Sequence, residues 1–534
     1  MRKQLFLFGF LFSIACFSQP KLVVGIVVDQ MRYEYIDRYW NKFGENGFKR
    51  LIKEGYSCKN TTYNYVPTIT GPGHASIYTG ATPSVHGIVS NDWLDRNKNI
   101  NIYCAQDDSV SSVGTTNRAG QMSPRNLMMN TITDQLKKAT NNQAKVIGIS
   151  LKDRGAILPV GKYATAAYWY DGATGRFISS TYYMKQLPGW VNDFNDKELP
   201  RKYLSQIWTT ALPIETYTES DADDSNCERP FRGKEKPIFP YDLFSLKNTN
   251  GGLDILSTTP FGNTFIKEFA MTTLINEKMG KDAVPDFLAI SFSSTDYIGH
   301  QFGPQSIEVE DCYIRLDKEL GELMDFLDRQ VGKNEYLLFL TSDHGASDAY
   351  PCLLKKNIPT GVLKEENIAD SLRKFFVKTY QNSFLLAVKG FDIYLNREAI
   401  AKKKFKLEEV QSKTSNYLMS LKGISCSLTE KQMAREVFQD SVRSKIKLGY
   451  NHKRSGDIIY ALKPHWLLGY TLGTTHGSPY SYDTHVPLIF FGWNIHQGMS
   501  EIPVKTTDIV PTISHLLNIP PPKGTMGVAI KGIQ

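Results

Sequence analysis

The sequence predicts an α/β protein built on a doubly wound, mainly parallel sheet with helices on both faces. Three observations predict it. Several short β-branched runs end abruptly in polar, chemically reactive residues. Those runs lack apolar/polar alternation, as strands buried on both faces do. Between them lie segments with apolar residues at three- and four-residue spacing, which is a helical period.

The first run, KLVVGIVVDQM, ends at Asp29. Next comes TITGPGHASIYTGATPSVHGIVSNDW, Thr68 to Trp93, where Thr70 precedes Gly71-Pro72-Gly73. A helix is expected to start there, with Pro72 near its first turn. A second helical pattern covers Asn126 to Lys138. The run KVIGISLKDRG delivers Ser150, Lys152 and Arg154, and FLAISFSSTDYIGH delivers Asp296 and His300. A long helix follows over Glu308 to Gln330. YLLFLTSDHG ends at Asp343 and His344, and HVPLIFFGW is a late fifth run. In this architecture ligands bind beyond the carboxyl ends of the strands, where these Asp and His residues cluster. Two stretches break the rhythm, about 162–252 and about 350–472. They are expected as insertions capping a single domain that spans 19–534.

Composition excludes several classes. With 534 residues, 41% hydrophobic and 22% charged, and a mean hydropathy of -0.31, the chain is neither disordered nor a polytopic membrane protein. The formal charge of +8 is a mild excess over this length and no argument for nucleic acid, although it suits an anionic substrate. Residues 1–18 read as a secretory signal. Arg2 and Lys3 precede the apolar run Leu5 to Phe17, which is shorter than a membrane span needs. Lipidation at Cys16 is disfavoured because Ser13-Ile14-Ala15-Cys16 makes a poor lipobox. A periplasmic or secreted protein is expected, with six cysteines left after cleavage and no CxxC among them. Their pairing stays open. Expected partners are small phosphorylated substrates, with no stable nucleic-acid partner, no transmembrane span and a monomeric state.

Asp29, Asp296, His300, Asp343, His344 and His476 offer oxygen and nitrogen ligands without thiolates. That set suits zinc or manganese in a hydrolytic site better than a structural zinc. Six ligands divide into two sets of three, and a two-metal clamp serves in-line phosphoryl transfer. A hydroxyl at a helix N-terminus beside a cation is readily deprotonated, which makes Thr70 a candidate nucleophile. Read alone, Thr70 would be an ordinary N-cap, and each Asp or His an ordinary strand-end residue.

Taken in order, these motifs resemble those of the alkaline phosphatase superfamily, especially its nucleotide pyrophosphatase/phosphodiesterase-like members. The Thr70 segment matches TG-x-x-P-x-x-HGI with a downstream asparagine, Asn91. A VDQ-type aspartate, D-x-x-G-H, S-D-H-G, a late H-G and the tail TTDIVPTISHLLNIPPPKGTMG match as well. The resemblance implies an alkaline phosphatase-like fold with two zinc ions. Asp296, His300 and His476 would hold one zinc, and Asp29, Asp343 and His344 the other, together with the Thr70 oxygen. Thr70 would form a covalent phosphothreonine that water then hydrolyses, and Asn91 would donate to a nonbridging phosphate oxygen.

The chain departs from the diesterase pattern, with T-G-P-G-H where those relatives commonly have T-F-P-N-H. It also carries S-x-K-x-R at Ser150-Leu-Lys152-Asp-Arg154, similar to the phosphate-irrepressible branch of periplasmic alkaline monoesterases. If the strand continues, Lys152 and Arg154 alternate onto one side and both reach one phosphate. A dianionic monoester gains most from two such cations. The expected activity is an exported, zinc-dependent phosphomonoesterase of alkaline optimum. A phosphodiesterase or nucleotide pyrophosphatase of the same superfamily is the alternative. A sulfatase lacks its formylglycine segment here, and a binding protein on a disabled scaffold would have lost the nucleophile or ligands. His74 and His86 are expected to pack or cap, and His485 to support a ligand.

Overall fold

The computed structural model describes residues 19–534; the expected signal sequence, residues 1–18 with Cys16, lies outside them. Ten strands make the central sheet. From one edge to the other they are Gly498–Ser500, Tyr56–Cys58, Leu488–Gly492, Tyr336–Thr341, Leu22–Val28, Asp286–Phe292, Val146–Ser150, Ala166–Asp171, Arg176–Ser180 and Ser112–Val113. Pairing is parallel from Tyr336–Thr341 through Leu22–Val28, Asp286–Phe292 and Val146–Ser150 to Ala166–Asp171. The late run Leu488–Gly492 is antiparallel to Tyr336–Thr341.

The sheet is buried on both faces, which explains the unbroken apolar runs. Leu22, Val24, Ile26 and Val28 point into one core, with Leu316, Leu320 and Leu323 of the helix Ile307–Leu327. Val23 and Val27 point into the other, against Ile509, Val510 and Ile513 of the helix Ile509–Leu516. This alternation follows from the two-residue period of a strand. The Asp and His residues that follow Val28, Phe292 and Thr341 therefore share one edge of the sheet.

Three sequence expectations change. The helix expected from Asn126 begins only at Ile132, after a single 3-10 turn at Pro124–Asn126. Thr131 and Asp134 form a capping box that fixes the true start. The stretch from 162 is not separate from the core, because Ala166–Asp171 and Arg176–Ser180 extend the central sheet. Tyr168 packs edge-on against Phe269 at 5.4 Å, and Phe177 stacks on it at 3.8 Å. Finally, the strand carrying Ser150 does not continue through Arg154. It stops at Ser150, and Lys152 is the N-cap of the helix Asp153–Val160.

Within the 350–472 stretch lies a second, antiparallel sheet of Leu385–Lys389, Asp392–Leu395, Ile458–Leu462 and Ile424–Thr429. The helices Glu365–Tyr380 and Leu407–Ser420 contribute Leu372, Phe376, Val410 and Leu418 to its own core. Its loop reaches the segment that carries Asn91. Asn451 donates to Ser84 O at 3.1 Å, Arg454 donates to Gly87 O, and the Arg454 guanidinium lies 4.6 Å over the Trp93 ring. Of the cysteines, Cys227 and Cys352 form a disulfide, while Cys58, Cys104, Cys312 and Cys426 are buried and free. Among the described residues no helix is long and apolar enough to cross a membrane.

One buried acid makes stability pH-dependent. Glu319 accepts from the Thr264 hydroxyl through one oxygen, and its other oxygen is buried without a partner. Burial pushes this carboxyl up to about 7. Its folded-state value thus lies above its unfolded one, so its stabilisation is full at pH 4 and is lost as pH rises through 7. The loss approaches about 3 kcal/mol at most. Glu319→Gln should therefore leave the urea midpoint nearly unchanged at pH 5 and raise it at pH 8. Equal midpoint shifts at both values would contradict the linkage.

Candidate active site

All the candidate ligands except His476 follow the end of a strand. Asp29 follows Leu22–Val28 and is held by a backbone bond from its N–H to Phe292 O at 3.0 Å. Asp296 occupies the first turn of the helix Ser294–Phe302, with His300 one turn on, so both face one side. Asp343 and His344 follow Tyr336–Thr341. His476 arrives from a distant loop.

Two groups of three potential ligands come together. Asp29, Asp343 and His344 each offer an atom within 4.8 Å of the others, and so do Asp296, His344 and His476. His344 belongs to both groups, and its ring stacks on His476 with centroids 3.4 Å apart. His300 lies alongside, with Nε2 3.2 Å from Asp296 Oδ1, while His476 Nε2 is 3.6 Å from the same oxygen. The second group thus holds Asp296 and His476 of the three residues expected there, with His344 in place of His300, which contacts Asp296 from outside the group.

The donor chemistry fits divalent cations. Nδ1 of His300, His344 and His476 is tied to Thr474 O, Gly345 O and Thr68 O at 2.7, 2.9 and 2.8 Å. With Nδ1 donating, the neutral form of each ring carries its lone pair on Nε2. Burial depresses His344 to about 3, keeping the neutral, ligating form. Its Nε2 contacts with Asp29 and Asp343 at 3.6 and 3.5 Å are accordingly not ion pairs. Asp29 Oδ1, Asp343 Oδ2 and His344 Nε2 are all buried without hydrogen-bond partners. Orphaned buried acceptors are costly unless something cationic meets them. Burial, reinforced by the Asp29 charge, drives Asp343 well above the ordinary carboxylate range. Asp296 goes the other way. Burial opposes its ionisation, but His300 and Lys152 hold it well below that range.

Lys152 is no solvated surface charge. It is buried, and its ammonium lies 2.7 Å from Asp29 Oδ2 and 2.6 Å from Asp296 Oδ2, between the two groups. The carboxylates of Asp29 and Asp296 thus meet one ammonium, and the mutual repulsion of Asp29, Asp296 and Asp343 helps to raise Asp29 and Asp343. Arg154 does not share its orientation, because the two sit on a helix N-terminus and not on one strand face. Its Nη1 instead donates to the Tyr103 hydroxyl at 3.0 Å.

Thr70 opens the buried helix Thr70–Thr79. A Cβ at Gly73 would lie 2.6 Å from Asp343 O, so glycine alone lets this first turn lie against the Asp343 loop. Asn91 Oδ1 accepts from Gly71 N at 2.8 Å, which fixes the amide and turns its Nδ2 donors away from the helix. His74 has both nitrogens engaged, with Thr70 O and Ser291 Oγ at 3.0 Å each. His86 likewise bonds Ser76 Oγ at 2.9 Å and Ile88 N at 3.1 Å. His485 bonds Lys59 O at 2.7 Å.

Gln30 was not expected from sequence. It holds a left-handed backbone at φ 61°, donates its N–H to Asp343 Oδ1 at 3.1 Å and its side-chain amide to Asp296 Oδ1 at 2.5 Å. It therefore links the two ligand groups. No property of its residue type marks it in the sequence, except its place directly after Asp29.

With this geometry in hand, comparison with known proteins is decisive. The family described as type I phosphodiesterase / nucleotide pyrophosphatase matches residues 23–486. The chain belongs to this family. The alkaline phosphatase PafA of Elizabethkingia meningoseptica is 45% identical over 515 residues, covering 96% of this chain and 94% of that one. Alkaline phosphatase PhoV of Synechococcus elongatus is also 45% identical over 515 residues, covering 96% and 92%. The crystal structure of PafA superposes with a TM-score of 0.93 at 44% identity, covering 96% of this chain and 99% of that one. A solved PafA variant, with one threonine changed to serine and an asparagine, a lysine and an arginine changed to alanine, superposes with the same TM-score of 0.93. The chain is thus an enzyme of the alkaline phosphatase superfamily with that superfamily's α/β fold.

Proposed function

We propose that this enzyme is an exported phosphate monoester hydrolase that holds two zinc ions and works through a phosphothreonine at Thr70. The observation that carries the reading is the pair of buried ligand triplets meeting at His344, with Lys152 between their carboxylates and Thr70 at the adjoining helix terminus. The residue types replaced in the PafA variant are those of Thr70, Asn91, Lys152 and Arg154. In both chains the threonine and asparagine stand 21 positions apart and the lysine and arginine 2 apart. The phosphatase names of both relatives favour monoesters over the diester alternative. Export rests on the pattern of residues 1–18.

Asp29, Asp343 and His344 would hold one ion, and Asp296, His300 and His476 the other. Bound there, zinc would supply Lewis-acid charge to the attacking and leaving oxygens. The Thr70 hydroxyl gives its proton to solvent and its oxygen attacks phosphorus in line, while the ester oxygen leaves with the bonding pair and takes up a proton from water. Water then attacks the phosphothreonine from the opposite side, restoring the Thr70 hydroxyl and releasing inorganic phosphate. Throughout, the Asn91 amide donates to a nonbridging oxygen, because Gly71 holds its carbonyl end. Arg154 and Lys152 supply the positive charge that a dianionic phosphoryl group requires.

Metal removal tests this directly. Purified protein should carry two zinc ions per chain by elemental analysis. Chelation should abolish turnover of p-nitrophenyl phosphate and lower the thermal midpoint, and zinc should restore both. Full turnover by metal-free protein would overturn the reading.

A further inference from the structure

Arg154 is held in an unusual way. Arg154 is half-buried, its Nε is buried, and among the described residues Nε has no partner and the guanidinium's one hydrogen bond is from Nη1 to the Tyr103 hydroxyl. Among the described residues no carboxylate bonds the guanidinium directly, so its charge is not consumed by an ion pair there. Tyr103 in turn donates its hydroxyl proton to Asp153 Oδ1. The hydroxyl is thus acceptor and donor at once, a relay that phenylalanine cannot reproduce.

The backbone around Tyr103 leads to the other phosphate-facing residue. Tyr103 ends the strand Ile100–Tyr103, which pairs antiparallel with Asp92–Asp95. Cys104 N donates to Asn91 O at 2.8 Å, and Asn126 Nδ2 donates to Tyr103 O at 3.2 Å and to Cys104 O at 3.1 Å. Asn91 is itself fixed by Gly71 N at 2.8 Å. One ribbon end therefore sets both Asn91, through its main chain, and Arg154, through the Tyr103 side chain.

We propose that Tyr103 is a positioning residue that aims the Arg154 fork and thereby sets the preference for dianionic monoesters. It rests on the phosphate-binding role proposed above for Arg154. A guanidinium fork recognises two phosphate oxygens only when its plane is fixed. Without the Tyr103 hydroxyl, Nη1 loses its anchor and the fork turns freely. A monoester, with three nonbridging oxygens, depends on that alignment more than a diester with two. Asn91 keeps its main-chain anchor at Cys104, so its contact survives the loss of the hydroxyl.

The test compares kcat/KM for p-nitrophenyl phosphate and bis-(p-nitrophenyl) phosphate in wild type, Tyr103→Phe, Arg154→Ala and the double variant. Tyr103→Phe should lower monoester turnover by roughly ten- to a hundredfold, the range for a misplaced catalytic contact, and leave the bis-ester within about threefold. Inhibition by inorganic phosphate should weaken in parallel. In the Arg154→Ala background, removing the hydroxyl should cost nothing further. Retained bis-ester turnover reports an intact fold. Loss in Arg154→Ala without loss in Tyr103→Phe would overturn the inference alone, as would equal losses on both esters or additive effects. An unaffected Arg154→Ala enzyme would overturn the role of Arg154 itself, and this inference with it.

Discussion

Thr70→Ala should lower monoester kcat/KM by at least about 10⁴-fold, the scale seen when a nucleophile is removed from a preorganised site. The side chain is short and sits at the first position of a buried helix, so the change removes the attacking oxygen and little else. Alanine is also the best helix former, and the fold should keep its stability. Zinc content should fall less than turnover does, because Asp29, Asp343 and His344, the proposed ligands, remain. Thr70→Ser should retain a hydroxyl and with it most of the loss prevented. Rapid acid quench during turnover, followed by mass spectrometry, should find phosphate on the peptide that carries Thr70 in wild type and none in Thr70→Ala. Undiminished turnover in Thr70→Ala would exclude a threonine nucleophile.

The second large effect belongs to Lys152. Its ammonium contacts Asp29 and Asp296 at 2.7 and 2.6 Å, at the seam between the two ligand triplets. Burial of a lysine ordinarily lowers its affinity for a proton, yet the two carboxylates hold it above its usual range, so it stays charged at any working pH. Lys152→Ala removes a buried cation from among three carboxylates, and breaking such a cluster is costly. Monoester kcat/KM should fall by about 10²–10³-fold, as for loss of one preorganised donor to a transition-state charge. Lys152→Met, which keeps the packing, should show the same loss. It separates the charge from the volume.

The fold was legible in the sequence wherever one physical signal dominated. Leu22–Val28, Asp286–Phe292 and Tyr336–Thr341 are buried on both faces, and their unbroken apolar composition says so. Their chemically loaded ends bring Asp29, Asp296, His300, Asp343 and His344 together, since a parallel sheet delivers such ends to one edge. Ala166–Asp171 was obscured because its aromatics resemble a polar, Tyr-rich cap until Tyr168 and Tyr170 are seen buried in the core. Aromatic residues favour strands, and that signal was available. The start of the helix Ile132–Ala139 was also written locally, in the Thr131/Asp134 capping box.

Other features have no local signature. Lys152 and Arg154 lie two residues apart, which on a strand means one face. The chain instead turns into a helix between them, and Lys152 goes to the carboxylates while Arg154 goes to Tyr103. His344 joins both triplets only because the His476 loop folds over it, a contact between residues 132 positions apart. Gln30 and Tyr103 act through hydrogen bonds to partners distant in sequence. Side chains of this kind become functional through tertiary contact, and their residue types alone carry no such information.

Substrate charge is the central matter, and one measurement addresses it most directly. The ratio of kcat/KM for p-nitrophenyl phosphate to that for bis-(p-nitrophenyl) phosphate should strongly favour the monoester in the zinc-loaded wild-type enzyme, by roughly 10²-fold or more if Lys152 and Arg154 act on the dianion. The same ratio should collapse toward unity in Lys152→Met. A wild-type enzyme that prefers the bis-ester, with a ratio unmoved by Lys152→Met, would contradict the monoesterase assignment and leave a phosphodiesterase in its place.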